Sequence, residues 1–119
     1  MSKRESNKIL IREKLIKVAF NFFQKKGVDN TTVSEIIKKA DIGRGTFYNY
    51  FSDVNHIFDS IIEKINFDIE KNIKDARKSS KNTHEYLYKS FLSYFDFISS
   101  KKMIRFHEKN QNNIRSSSY

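Results

Sequence analysis

At 119 residues, 38% apolar and 14% aromatic, the chain has the size and composition of one domain with a real core. It contains no cysteine, which excludes disulfides and thiolate metal sites; no run of about 18 apolar residues occurs and MSKRESNK lacks a signal-type apolar stretch, so a soluble cytoplasmic protein with no membrane span is expected. The net charge of +9 points to an anionic partner, and its distribution is uneven: residues 1–51 carry eleven Lys/Arg against five Asp/Glu, whereas residues 52–82 carry six of each.

With no proline and apolar residues at helical spacing through most of the length, the expected fold class is all-α. A first helix over about residues 4–26 sets Ile11, Leu15, Val18, Ala19, Phe22 and Phe23 on one face, and Gly27 suits the left-handed residue that follows a helix C-terminus. Thr32 with Glu35 three positions on forms a capping box for a short helix over 33–40, whose apolar side is Ile36, Ile37 and Ala40. Asp41, Ile42 and Gly43 make a tight turn, and a second short helix runs from Arg44 to Phe51. Ser52 is expected to cap a long helix reaching about Arg77, with Asp53 in its first turn and Ile57, Phe58, Ile61, Ile62, Ile65 and Ile69 as its buried stripe. After a polar loop, Asn82 caps a helix with the stripe Leu87, Phe91, Tyr94, Phe95 and Ile98. Met103, Ile104 and Phe106 indicate one more short helix, and the polar tail NQNNIRSSSY is expected to fray.

Helix, three-residue turn, helix is the arrangement in which a second helix enters the major groove of DNA. At about 100° per residue, Phe47, Tyr50 and Phe51 share the inner side of that helix. Gly45 and Asn49 fall nearly opposite, flanked by Arg44, Thr46 and Tyr48. Glycine costs about 1 kcal/mol against alanine inside a helix, and the chain holds only three glycines. Gly45 therefore either lets the backbone approach a base edge or phosphate, or relaxes a tight turn. Asn49 can pair bidentately with adenine, Arg44 can reach guanine or phosphate, and the hydroxyls of Thr46 and Tyr48 can bond phosphate oxygens.

The sequence resembles the TetR family of bacterial transcriptional repressors from about Leu15 to Phe58. Leu15, Ala19, Phe23 and Gly27 look like the family's first helix and its stop. Thr31, Thr32 and Val33 match its TTV opening of the second, and Ile36, Ala40, Ile42, Thr46, Phe47, Tyr48, Tyr50 and Phe51 match the run that follows. The resemblance implies a three-helix DNA-binding bundle, with phosphate or base contacts from Thr32, Ser34, Arg44, Gly45, Thr46, Tyr48 and Asn49. Three positions depart from it: Asp41 stands where the family usually has glycine, Gly43 where it often has a serine cap, and Val54 where a lysine often contacts phosphate. Asn55, His56 or a basic arm of Lys3, Arg4 and Lys8 is expected to take over that last contact.

The expected division is a helix-turn-helix DNA-binding domain at 1–51 and, after a long connecting helix, a partial regulatory and dimerisation region over 52–119, in a truncated family member or a fragment. The resemblance implies a dimer on a palindromic double-stranded operator and a small-molecule effector in the C-terminal region. Phe67, Tyr86, Phe91, Tyr94 and Phe95 are candidates to line the effector pocket, with core packing as the competing role for each. His56, His84 and His107 share no ligand spacing, so no metal is expected. No acid of the last third stands beside a nucleophile or a phosphate-cradling glycine loop, so neither a cofactor nor an enzymatic role is expected. The alternative function is an interaction protein that pairs with and modulates another helical regulator; a basic amphipathic module on an anionic membrane is a third.

Overall fold

The computed structural model describes residues 2–116, in which six α-helices and one 3-10 turn form the regular structure and no strand occurs. Helix α1 spans Lys3–Lys26 and is capped by Ser2, whose hydroxyl accepts from the Glu5 amide at 3.2 Å. Leu15, Ala19 and Phe23, one turn apart, are fully buried, and Ile11, Val18 and Phe22 border them half-buried. The helix stops at Gly27, whose φ of 83° and ψ of 161° lie in a region that favours glycine, outside the left-handed helical well. A second constraint acts at the same residue, because a Cβ there would stand 2.8 Å from the carbonyl oxygen of Lys109.

The 3-10 turn Val28–Asn30, absent from the sequence-based expectation, leads to α2, Val33–Ala40. The capping box forms as the sequence indicates: the Thr32 hydroxyl accepts from the Glu35 amide at 3.2 Å, and the Glu35 carboxylate accepts from the Thr32 amide at 3.1 Å. α2 ends at Asp41 in the left-handed region, φ 56° and ψ 52°. Aspartate tolerates that region better than most residues with a side chain, so here it takes the conformation for which glycine is the usual choice.

Helix α3, Arg44–Tyr48, is shorter than the expected Arg44 to Phe51. Its last carbonyls close early, since the Phe47 oxygen accepts from the amides of both Tyr50, at 2.9 Å, and Phe51, at 3.1 Å. Helix α4 spans Val54–Ser79, and its cap is Asp53 rather than Ser52. The Asp53 carboxylate accepts from the His56 amide at 2.8 Å, while the Ser52 amide donates to His56 Nδ1 at 3.0 Å. A carboxylate at the positive end of a 26-residue helix also meets its dipole favourably. Helix α5, Thr83–Ile98, starts as expected from Asn82, which accepts from the Glu85 amide at 2.9 Å.

The largest departure is at the C-terminal end. Instead of a short helix and a fraying tail, α6 runs Lys101–Ser116 and lies along α1; the last three tail residues are outside the described residues. Phe106 is buried between Phe20, at 5.1 Å between ring centroids, and Phe58, at 5.7 Å. One turn on, Asn110 is fully buried and spans the two helices. Its Nδ2 donates to the Phe23 and Phe106 carbonyls at 3.0 and 2.7 Å, and its Oδ1 accepts from the Val28 amide at 2.8 Å. That amide lies just past the end of α1, and the Asn110 side chain supplies its acceptor.

One continuous core joins α1, α2, α3, α4 and α6, with Leu15, Phe23, Ile36, Phe47, Phe51, Ile57, Phe58 and Phe106 at its centre. α5 packs on α4 yet buries no residue fully, and its stripe stays open: Leu87 is 60% exposed, Phe91 64% and Phe95 52%. No helix of the described residues is long and apolar enough to cross a membrane.

Candidate nucleic-acid interface

The short helix α3 is held by its aromatics. Phe47 and Phe51 are buried, and Tyr50 is half-buried against the same core. The Arg12 guanidinium of α1 lies 5.4 Å from the centre of the Phe51 ring, and His56 meets that ring edge-on at 5.2 Å. Tyr48 leans edge-on against Phe47 at 5.2 Å and leaves half of its own surface exposed. Arg44, Gly45 and Asn49 are exposed and Thr46 is half-buried, so the division into an inner apolar and an outer small, polar side is as the periodicity indicates.

Within the chain nothing requires a glycine at position 45. A Cβ added there would meet no atom within 4 Å, and its φ lies outside the positive region, where Gly27 and Asp41 are the described residues. The turn-relaxing role therefore has no geometric basis. Gly43, the N-cap of α3, has equally open surroundings and makes no side-chain cap bond.

Two contacts fix α3 and α1 relative to α2. Arg44 donates to the Ser34 hydroxyl at 2.6 Å, which brings both candidate contact residues to one exposed corner of the turn. Lys26, from the end of α1, pairs with Glu35. The Lys26 ammonium and then the Thr32 amide hold the Glu35 carboxyl below its ordinary value of 4.5. Thr32 itself is committed to the cap, since its hydroxyl also lies 3.2 Å from the Glu35 carboxylate.

The remaining candidates are spread more widely. Asn55 is exposed in the first turn of α4, whereas His56 is engaged by the Ser52 amide and the Phe51 ring, and Val54 packs half-buried on the core. Lys3 and Arg4 lie in the first turn of α1, on a helix rather than a free arm, about 18 Å of helix before Leu15 at roughly 1.5 Å per residue. The five proposed effector residues are not gathered around one cavity. Phe67, Phe91, Tyr94 and Phe95 are exposed, with Phe91 and Phe95 stacked at 6.1 Å, and Tyr86 sits beneath the Arg77 guanidinium at 5.4 Å. Among the described residues no three of His, Cys, Asp or Glu come together as a metal ion would require. Missed altogether from the sequence was Asn110, although Met103, Phe106, Asn110 and Ile114 recur at steps of three and four on one face of α6.

Residues 15–61, covering α1 from its first fully buried residue through the start of α4, match the family model described as bacterial regulatory proteins, tetR family. Over these residues the chain is similar to the TetR family. Among curated relatives, the helix-turn-helix-type transcriptional regulator YvdT of Bacillus subtilis is 38% identical over 65 residues, 55% of this chain and 32% of that one. The negative transcriptional regulator IcaR of a Staphylococcus aureus biofilm operon is 28% identical over 97 residues, 82% of this chain and 52% of its own length. A solved transcriptional regulator from Aquifex aeolicus superposes with a TM-score of 0.66 at 26% identity, covering 82% of this chain and 54% of that one. The matched segments amount to between about a third and a half of the curated relatives.

Proposed function

We propose that this chain is a DNA-binding transcriptional regulator of the TetR family, acting as a repressor on a palindromic double-stranded operator. Residues 1–51 read the DNA, and residues 52–119 serve dimerisation and response to a small-molecule effector. The observation that carries this reading is Gly45: the sequence keeps the poorest helix former but proline on the outer face of α3, although neither packing nor backbone conformation inside the chain asks for it. A glycine there leaves the outer face open for an external surface to come close, and the neighbours Arg44, Thr46, Tyr48 and Asn49 have the donors and acceptors for phosphate and base edges. The basic surplus of residues 1–51 supplies the sequence-independent part of the attraction. The name of IcaR as a negative regulator agrees with repression, and a repressor of this kind works in the cytoplasm without a catalytic step.

Footprinting on a duplex selected from random sequence tests this. Protection of two half-sites about one helical turn apart is expected, or a multiple of that spacing. A single unstructured protection that any duplex competes away would overturn it. The second reading, a protein that pairs with another helical regulator, is favoured by one observation, the open apolar stripe of α5. Light scattering at several concentrations bears on both, since each requires association through residues after about 57.

A further inference from the structure

Away from α3, the helices α1, α2 and α6 enclose an open groove of about 820 Å³. Five cations line it, Lys25 from α1, Lys39 from α2, and Lys102, Arg105 and Lys109 from α6, and no carboxylate does. Among the described residues none of the five forms an ion pair; the pairs present are Lys26 with Glu35 and Lys89 with Glu85. The three α6 cations fall at steps of three and four, along about 10 Å of one helix face at roughly 1.5 Å per residue. The α1 wall is partly apolar, contributed by Val18 and Phe22. Like charges set this close repel one another, and a bound anion relieves that cost.

We propose that this groove is a binding site for a small amphipathic anion, a carboxylate or phosphate head with an apolar body. The volume lies within the range of small-molecule sites, about 300–1,000 Å³. The head faces the α6 cations and the body covers Val18 and Phe22. Duplex DNA is the less fitting occupant. Lys39 is five residues beyond Ser34, so it stands roughly 140° round α2 from the corner where Ser34 meets Arg44. A groove so turned does not share the face of α3 that carries Gly45 and Asn49, and phosphate backbone has no use for an apolar wall. The site is independent of whether α3 reads an operator.

The test uses the intact chain with decyl phosphate and decanoate as probes, inorganic phosphate and decanol as their separated halves, and an unrelated duplex, each titrated below micelle concentrations and followed by amide chemical shifts. Both amphiphiles are expected to saturate one site, with shifts centred on α1, α2 and α6, and each half alone to bind more weakly. The variant Lys102→Gln/Arg105→Gln/Lys109→Gln, at exposed positions, should weaken both by about tenfold. Asn21→Trp, an exposed residue of the groove wall, should block them by filling the space. Melting curves confirm that each variant is folded. Amphiphile shifts confined to α5, or affinities unchanged in both variants, would overturn the proposal. So would a triple variant that loses duplex affinity while neither amphiphile saturates, since the groove would then hold nucleic acid.

Discussion

Asn110→Ala isolates the contact that ties the C-terminal helix to the helix-turn-helix segment. The side chain is fully buried and makes three hydrogen bonds, but they are not equal. The Phe23 carbonyl also accepts from the Gly27 amide at 3.1 Å, so it keeps a partner when Asn110 is truncated. The Phe106 carbonyl lies inside α6 and keeps its helical bond. The Val28 amide is different, because Asn110 Oδ1 is its acceptor across 82 residues of sequence. An orphaned buried donor costs about 1–3 kcal/mol, and the space left by the amide group adds to it, for a total of about 2–4 kcal/mol. At about 4 °C per kcal/mol for a chain of this length, the melting temperature should fall by about 8–16 °C. Asn110→Asp should do no better, since its carboxylate would face the two carbonyls that Nδ2 now satisfies. Urea and thermal unfolding followed by circular dichroism give both numbers. A loss below about 0.5 kcal/mol for Asn110→Ala would refute the reasoning, because water or a local shift would then be satisfying the Val28 amide.

Gly27→Ala combines a positive φ with a Cβ 2.8 Å from the Lys109 carbonyl, and should destabilise by about 2–4 kcal/mol; a cost under 1 kcal/mol in denaturant titration would contradict the close contact. The Glu35 carboxyl titrates lower in the folded chain than its ordinary 4.5, held there by Lys26 and then the Thr32 amide. Its contribution is thus present above that value and lost as pH falls through the folded one. The stability gap between the parent and Glu35→Gln should therefore be widest near neutral pH and narrow on acidification; a gap independent of pH would count against the Lys26 pairing. On a selected operator, Asn49→Ala should cost about 1–3 kcal/mol with relaxed preference at one base position, while Tyr48→Phe weakens all duplexes alike. Unchanged affinity in both variants would remove α3 as the reader.

What was legible in the sequence was what depends on near neighbours. The Thr32 and Glu35 capping box, the Asn82 cap and the inner face of Phe47, Tyr50 and Phe51 follow from spacings of a few residues, and the structure has all three. The Ser52 and Asp53 assignment slipped by one because both residues are good caps, and the choice fell to His56, whose ring takes the Ser52 amide while its own amide goes to Asp53. α3 is shorter than expected because apolar periodicity continues to Phe51, whereas the helix ends at Tyr48, where the Phe47 carbonyl takes the amides of both Tyr50 and Phe51. The α6 error was of another kind. Read alone, NQNN is a polar stretch at the end of a chain, and only contact with the end of α1 makes Asn110 a buried residue. The same holds for Gly27, whose need for glycine comes partly from Lys109. The aromatics of α4 and α5 carry a helical stripe, and a stripe does not say what covers it; in the structure Phe67, Phe91 and Phe95 stay exposed.

The proposed reader, α3, approaches DNA through the backbone at Gly45. Gly45→Leu tests it when a melting curve and a titration against a selected operator are run on the same preparation. Leucine has open space there and is the better helix former, so the melting temperature should hold or rise slightly while operator affinity drops to that for unrelated duplex. A variant that keeps full operator affinity would contradict the close approach. A variant that loses stability together with binding would show that the glycine serves the fold.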